Sequence, residues 1–133
     1  ITMNSTLSIS QALKGGAIAA FIAAGANNVW SLVANALGAT IPAQFVIAVT
    51  LASIIPMILG SLVYFLLMKY ATRGFTIWMI LSIGFTLVSF FPVFNTTQLA
   101  DGTPTDSTFP LLVGPMHAIS GFLAVWGIHR WSK

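Results

Sequence analysis

The chain has 133 residues, enough for one compact unit but not for two domains. Hydrophobic residues make up 57% and charged residues 5%, and five basic and two acidic side chains cannot build a water-facing surface on a chain of this length. This excludes soluble enzyme folds. Five scattered basic residues form no patch for nucleic acid, and the absence of cysteine removes disulfides, thiolate metal sites and thiol redox chemistry.

A hydrocarbon core of about 30 Å takes about 20 apolar residues in a helix. Residues 11–37, 43–70, 75–94 and 110–131 meet that requirement. Transmembrane strands need alternating polarity, which Phe45-Val46-Ile47-Ala48-Val49 lacks. The reading is an all-α, polytopic membrane protein: one domain over residues 1–133, folded as an antiparallel bundle of four transmembrane helices. Gly38 and Pro42 stop and restart the chain between the first two spans, residues 69–74 form a tight basic turn, and residues 95–108 form a long polar loop. Lys14, an apolar run and Ala34-Asn35-Ala36 imitate a signal peptide, but the segment is expected to be retained as the first span. The chain opens with Ile1, which points either to processing or to preceding residues.

With four spans, Lys14, Lys69, Arg73, Arg130 and Lys133 share one side, while Asp101 and Asp106 fall on the other. The positive-inside rule puts both termini in the cytoplasm. Tyr70, Trp78, Trp126 and Trp131 fall near the basic ends and are expected at the headgroups.

The candidate site starts from His117, about 10 Å into the fourth span at 1.5 Å per residue. A neutral imidazole there can bond across the bundle, ligate a haem iron or a chlorophyll magnesium, or pass protons. His129 falls near the basic end, as an interfacial residue. Asn28, Ser31 and Asn35 share one face of the first span, continued by Ala17, Ala20 or Phe21, and Ala24. Amides in lipid must find partners, so this face turns inward. A belt at one depth follows from Asn28, Ser31, Thr50, Ser53, Thr86, Ser89, His117 and Ser120. Within it His117, Asn28, Ser31 and Ser53 are the candidate ligand-binding residues, and interhelical hydrogen bonding is the alternative use of the same groups.

Small residues mark close packing: Gly15, Ala19 and Ala23, the parallel set Gly16, Ala20 and Ala24, and Gly114, Ala118 and Gly121 beside His117. Pro56 and Pro115 free the carbonyls of Ala52 and Leu111 and predict kinks. No Asp or Glu falls within a span, and no catalytic or metal-binding motif is present. Asn4-Ser5-Thr6 and Asn95-Thr96-Thr97 match the glycosylation acceptor pattern.

Several short runs carry a resemblance: Leu51-Ala52-Ser53-Ile54-Ile55-Pro56 with Gly60, the basic turn followed by Phe75, Ser89-Phe90-Phe91-Pro92, and Met116-His117. Over roughly its last ninety residues the chain resembles an uncharacterised family of small bacterial four-helix membrane proteins, a domain of unknown function. The resemblance implies a bacterial inner-membrane bundle and supplies no activity. Together these readings predict a non-catalytic membrane protein, an accessory or structural subunit of a larger complex, in contact with lipid and with other subunits or further copies of itself. The loop 95–108 and the basic C-terminus are its expected docking surfaces. The alternatives are a protein that binds haem, pigment, quinone or lipid through His117, and a small oligomeric transporter.

Overall fold

The computed structural model describes residues 7–133, so the acceptor match Asn4-Ser5-Thr6 lies outside the described residues. Four helices form: α1 (Ile9–Ala36), α2 (Phe45–Tyr70), α3 (Gly74–Asn95) and α4 (Phe109–Trp131). Each is long and apolar enough to cross a membrane.

The helix ends are set by local chemistry. Ser8 and Gln11 form a reciprocal capping box, which starts α1 two residues before the expected Gln11. Gly38, at φ 102°, ends it: Gly38 N–H donates to Asn35 O and Ala39 N–H to Ala34 O, the paired bonds of a Schellman stop. Gln44, at φ 58°, delays α2 to Phe45. A Cβ on Gly74 would lie 2.3 Å from Leu67 O, so only glycine lets α3 begin this close to the end of α2.

Contact order fixes the relative directions. Gly16 meets Ser61 whereas Asn28 meets Thr50, so α1 and α2 run antiparallel. Thr86, Ser89 and Val93 of α3 meet Gly121, His117 and Gly114 of α4, again in reversed order. Trp30 reaches Leu112, and Gly15 packs against Ile128 and Ser132, so α4 opposes α1 as well. Helix α1 therefore lies between α2 and α4, and α3 leans on both of those from the far side.

The small residues of α1 allow this closeness. Gly15, Gly16, Ala19, Ala20, Ala23 and Ala24 are all buried. A Cβ on Gly16 would fall 2.5 Å from Ser61 Cβ, and one on Gly121 would meet the Thr86 side chain. Gly114 faces Val93. Ala118 is exposed, contrary to its expected place beside Gly114 and Gly121. Gly114 and Gly121 are seven residues apart and nearly in line, whereas Ala118 is rotated off that line toward lipid.

Span four is not a uniform α-helix. Leu123–Gly127 forms a π-helical turn. Within it Ala124 O accepts from Trp78 Nε1–H at 3.2 Å. Trp78 is 5% exposed and belongs to the core, not to the headgroup zone where the sequence placed it. The slot is opened by Gly60, whose missing Cβ would stand 3.2 Å from the Trp78 ring. Trp126 and Tyr70 do face outward, and Lys69 Nζ lies 5.2 Å over the Tyr70 ring.

The side carrying residues 96–108 is the loop side, and the opposite side, with Lys69, Arg73, Arg130 and Lys133, is the basic side. The loop is folded. Gln98 pairs with Pro104, Thr105 N–H donates to Thr97 O, and Thr105 Oγ1 donates to Thr96 O. Asp106 Oδ1 accepts from Thr108 N–H and Oγ1–H, and Thr108 Oγ1 in turn accepts from Thr40 N–H at 3.0 Å, joining the two loop-side connections. At the basic end, Ser132 is buried against Gly15, so the expected C-terminal docking surface reduces to Arg130, Lys133 and neighbouring Lys14.

Two outcomes follow from this packing. Gly16→Val should destabilise the bundle by about 1–3 kcal/mol through overpacking at Ser61, whereas Gly25→Ala, where nothing lies within 4 Å, should be neutral or slightly stabilising; thermal unfolding in one detergent compares them. The Thr108 hydroxyl, then Thr40 and the Thr108 N–H, hold the Asp106 carboxyl below its usual range. A depressed folded pKa means the loop's stabilisation is present above the unfolded carboxylate pKa and is lost as pH falls through the lowered one. The protection of the Thr108 amide relative to its intrinsic exchange rate should therefore fall only in that acidic window, and Asp106→Asn should remove the dependence.

Candidate functional site

The polar side chains of the loop-side half form two separate sets. The first centres on Asn27, which is 3% exposed. Its Nδ2 donates to Ser53 Oγ of α2 at 2.9 Å and to Ser120 Oγ of α4 at 3.0 Å, tying three helices together. Ser53 Oγ gives its own proton to Val49 O at 2.7 Å. It can then only accept, which orients the Asn27 amide with nitrogen toward Ser53. Asn28 Nδ2 donates to Ala24 O and to Thr50 Oγ1.

The expected stripe of Asn28, Ser31 and Asn35 is thus displaced by one residue. Asn27 is the hub, Asn28 is partly buried against α2, and Asn35 is exposed at the helix end, where it donates to Ala39 O. Ser31 is buried, but its hydroxyl turns back to Asn28 O. The physical reason is that α1 has neighbours on two sides. Asn27 points between α2 and α4, and Asn28, rotated by about 100°, addresses α2 alone. The signal was present: Ala20, Asn27 and Ala34 repeat every seven residues, and all are buried.

The second set is His117 with Ser89. His117 Nδ1 lies 2.8 Å from Ser89 Oγ, and Ser89 donates its proton to Thr86 O at 2.6 Å. The Phe90 ring lies 5.8 Å from the imidazole, which is half-buried. No hydrogen bond joins this pair to the Asn27 network among the described residues, and Thr86 Oγ1 turns back to Ser82 O. The expected belt is therefore one network and one pair, with Ser31 and Thr86 occupied on their own helices.

Sequence reasoning missed a cluster on the basic side. Tyr64, 2% exposed, places its hydroxyl 2.6 Å from His129 Nδ1. Phe75 lies against the same imidazole at 4.1 Å, and Trp78 meets Tyr64 edge-on at 5.6 Å. His129 thus belongs to an aromatic joint between α2, α3 and α4. Trp30 was also unassigned. Its Nε1–H donates to Leu111 O at 3.2 Å, the carbonyl that Pro115 frees, and to Leu112 O at 3.1 Å.

A metal centre would need several ligands in one place, and no group of three His, Cys, Asp or Glu gathers among the described residues. Apart from Lys14, Lys69 and Arg130 near the basic ends, the polar side chains of the spans are hydroxyls, amides, indoles and imidazoles. If the Asn27 contacts act as interhelical glue, a double-mutant cycle of Asn27→Ala with Ser120→Ala in bilayers should give a coupling of about 0.6 kcal/mol. A coupling of zero in reversible unfolding would show that the contact contributes nothing.

No curated protein and no solved structure matches the chain. One family model does, and it covers residues 8–131, well beyond the stretch that carried the resemblance. With its four apolar helices, the chain belongs to the family of unknown function DUF6069.

Proposed function

We propose that this integral membrane protein is non-catalytic and serves as an accessory or structural subunit of a larger membrane complex. The observation that carries this reading is the use made of its polar groups. Asn27, Asn28, Ser53, Trp30, Trp78, Tyr64 and His129 are all engaged in bonds between helices or to their own helix backbone. Groups consumed in holding the bundle are not free for acid–base or nucleophilic work. What faces outward is apolar helix surface, most extensively on α3 at Ile80, Phe85, Val88, Phe91 and Phe94, together with a folded polar loop. Such a surface suits lipid and neighbouring membrane subunits.

The division of charge supports a cytoplasmic location for both termini in a bacterial inner membrane, because the five basic residues gather on one side and the two acidic ones on the other. Extraction in a mild detergent followed by native mass analysis tests the subunit reading. The expected species carries further protein chains, either different subunits or copies of this one. A lone monomer as stable as the extracted assembly overturns it.

A second reading, small-ligand binding, is favoured by His117. Its imidazole is half-buried in the loop-side half with Nε2 unpaired among the described residues, as the His129 Nε2 is at the basic end, but His117 stands outside the aromatic joint that encloses His129. The ligands compatible with one imidazole in an apolar setting are a haem, a pigment, a quinone or a lipid.

A further inference from the structure

The position of the proton on His117 is set by the chain. Ser89 Oγ–H donates to Thr86 O at 2.6 Å, so the oxygen that faces His117 has only lone pairs to offer. The Nδ1 atom 2.8 Å away must carry the hydrogen. That leaves Nε2 as a bare acceptor, with no partner among the described residues. An acceptor left unpaired at membrane depth costs free energy until a donor reaches it.

The same bias recurs across this half of the bundle. Asn27 and Asn28 spend their N–H groups on Ser53, Ser120, Ala24 O and Thr50, and their Oδ1 atoms remain buried without partners. Helix carbonyls have absorbed the hydroxyl protons of Ser53 and Ser89, so what this level leaves unpaired on His117, Asn27 and Asn28 is acceptors, although the Thr50, Ser82 and Ser120 hydroxyls keep a proton to give. The occupant that suits it brings a hydrogen. It is also neutral, because both acidic residues, Asp101 and Asp106, lie in the loop and no carboxylate in a span balances a cation. One helical turn from the His117–Ser89 pair, on the same two helices, an open apolar groove of about 280 Å³ runs between Ile83, Thr86 and Leu87 of α3 and Gly121, Phe122 and Val125 of α4. Gly121 supplies no side chain there, and the groove is near the small end of ligand-site volumes, about 300 Å³.

From this geometry we infer that His117 Nε2 recognises a neutral hydroxyl on an apolar body, a phenol- or quinol-type amphiphile whose body lies along the α3–α4 groove. This rests on the ligand-binding reading of His117 and specifies its chemistry: the hydroxyl donates, and a ketone or ether in its place is rejected. Ser89 is the positioning residue that holds the acceptor nitrogen free.

The protein, labelled with ¹⁵N-histidine in phosphatidylcholine nanodiscs, is titrated under reducing conditions with decylhydroquinone and separately with its dimethyl ether. Without ligand, the spectrum should show His117 as the Nδ1–H tautomer. Decylhydroquinone should move the Nε2 resonance saturably, and the ether should bind at least about tenfold more weakly, the loss of one buried hydrogen bond. Ser89→Ala keeps the imidazole but releases the tautomer, and should weaken hydroquinone binding about tenfold while ether binding and the fold, with one interhelical bond lost, change little. His117→Ala should abolish the difference between hydroquinone and ether. Equal binding of the two compounds with Nε2 unmoved overturns the donor assignment while leaving ligand binding intact. So does a visible absorption band in the purified protein that disappears in His117→Ala, because Nε2 is then a metal ligand. Binding of neither compound, with no absorbing group present, removes the ligand-binding reading along with this one.

Discussion

A hydrocarbon interior holds no water to satisfy a stray donor or acceptor, and the architecture of this bundle depends on that constraint. Serine and threonine respond locally. Ser53, Ser61, Thr86, Ser89 and Ser132 each give their proton to a carbonyl three or four residues back. Having done so, Ser53 and Ser89 can only accept, and each receives an N–H from another helix: Asn27 for one, His117 for the other. Two of the bundle's cross-links are thus an amide and an imidazole donor meeting hydroxyls already committed to their own backbone, while Asn27 and Asn28 also reach Ser120 and Thr50. Breaks in the backbone ladder are handled the same way. Pro115 frees Leu111 O, which the Trp30 indole meets, and Ala124 O in the π-helical turn accepts from Trp78.

Bonds of this kind reach only when backbones approach closely, which explains the composition of α1. Lipid tails are as apolar as leucine, so burying large side chains between helices gains little over leaving them in lipid. Close van der Waals contact and the polar bonds it permits are what draw helices together. Helix α1 accordingly buries glycine and alanine along two adjoining lines, one passing Ser61 of α2 and the other passing Ile128 of α4 and Ser132 just after it. Helix α3 is the opposite case. It buries Gly74, Trp78, Ser82 and Val93 and leaves its bulky apolar residues outside.

This inversion decides what could be read from the sequence. The spans were legible because their length is set by the bilayer and Gly38, Pro42 and Pro110 punctuate them locally, although the Ser8 cap and Gln44 moved the starts of α1 and α2. The orientation of each helix about its own axis was only partly legible. In a water-soluble bundle the apolar stripe marks the inside, but here the lipid face and the protein face are both apolar. Small residues and amides are the remaining markers, and they resolve a face to within a residue or so. That margin separates Asn27 from Asn28, and Ala118 from the Gly114–Gly121 line. Trp78 was misplaced for a related reason. A tryptophan near a helix end resembles a headgroup anchor until the Gly60 slot opposite it is known. The Tyr64–His129 pair joins residues 65 positions apart, and no local pattern encodes it.

The two ends of the bundle are therefore built to different specifications. Toward the basic side, Tyr64, Trp78, Phe75 and His129 fill the space between α2, α3 and α4 with ring contacts. The contacts between α2 and α3 gather there, at Gly60, Tyr64 and Leu67 against Trp78 and Gly74. Toward the loop side, α2 turns to α1 through Thr50 and Ser53, and α3 turns to α4 through Thr86, Ser89 and Val93. One end is an aromatic joint; in the loop-side half the two helix pairs are joined by the Asn27–Ser120 bond, by the Trp30 indole on Leu111 O and Leu112 O, and by an apolar cluster of Ala34, Phe45, Val49, Leu112 and Met116. His117 stands in that half, its ring held by Ser89 and its second nitrogen unspent. Whatever the protein meets in the membrane, that half offers it the unpaired nitrogen.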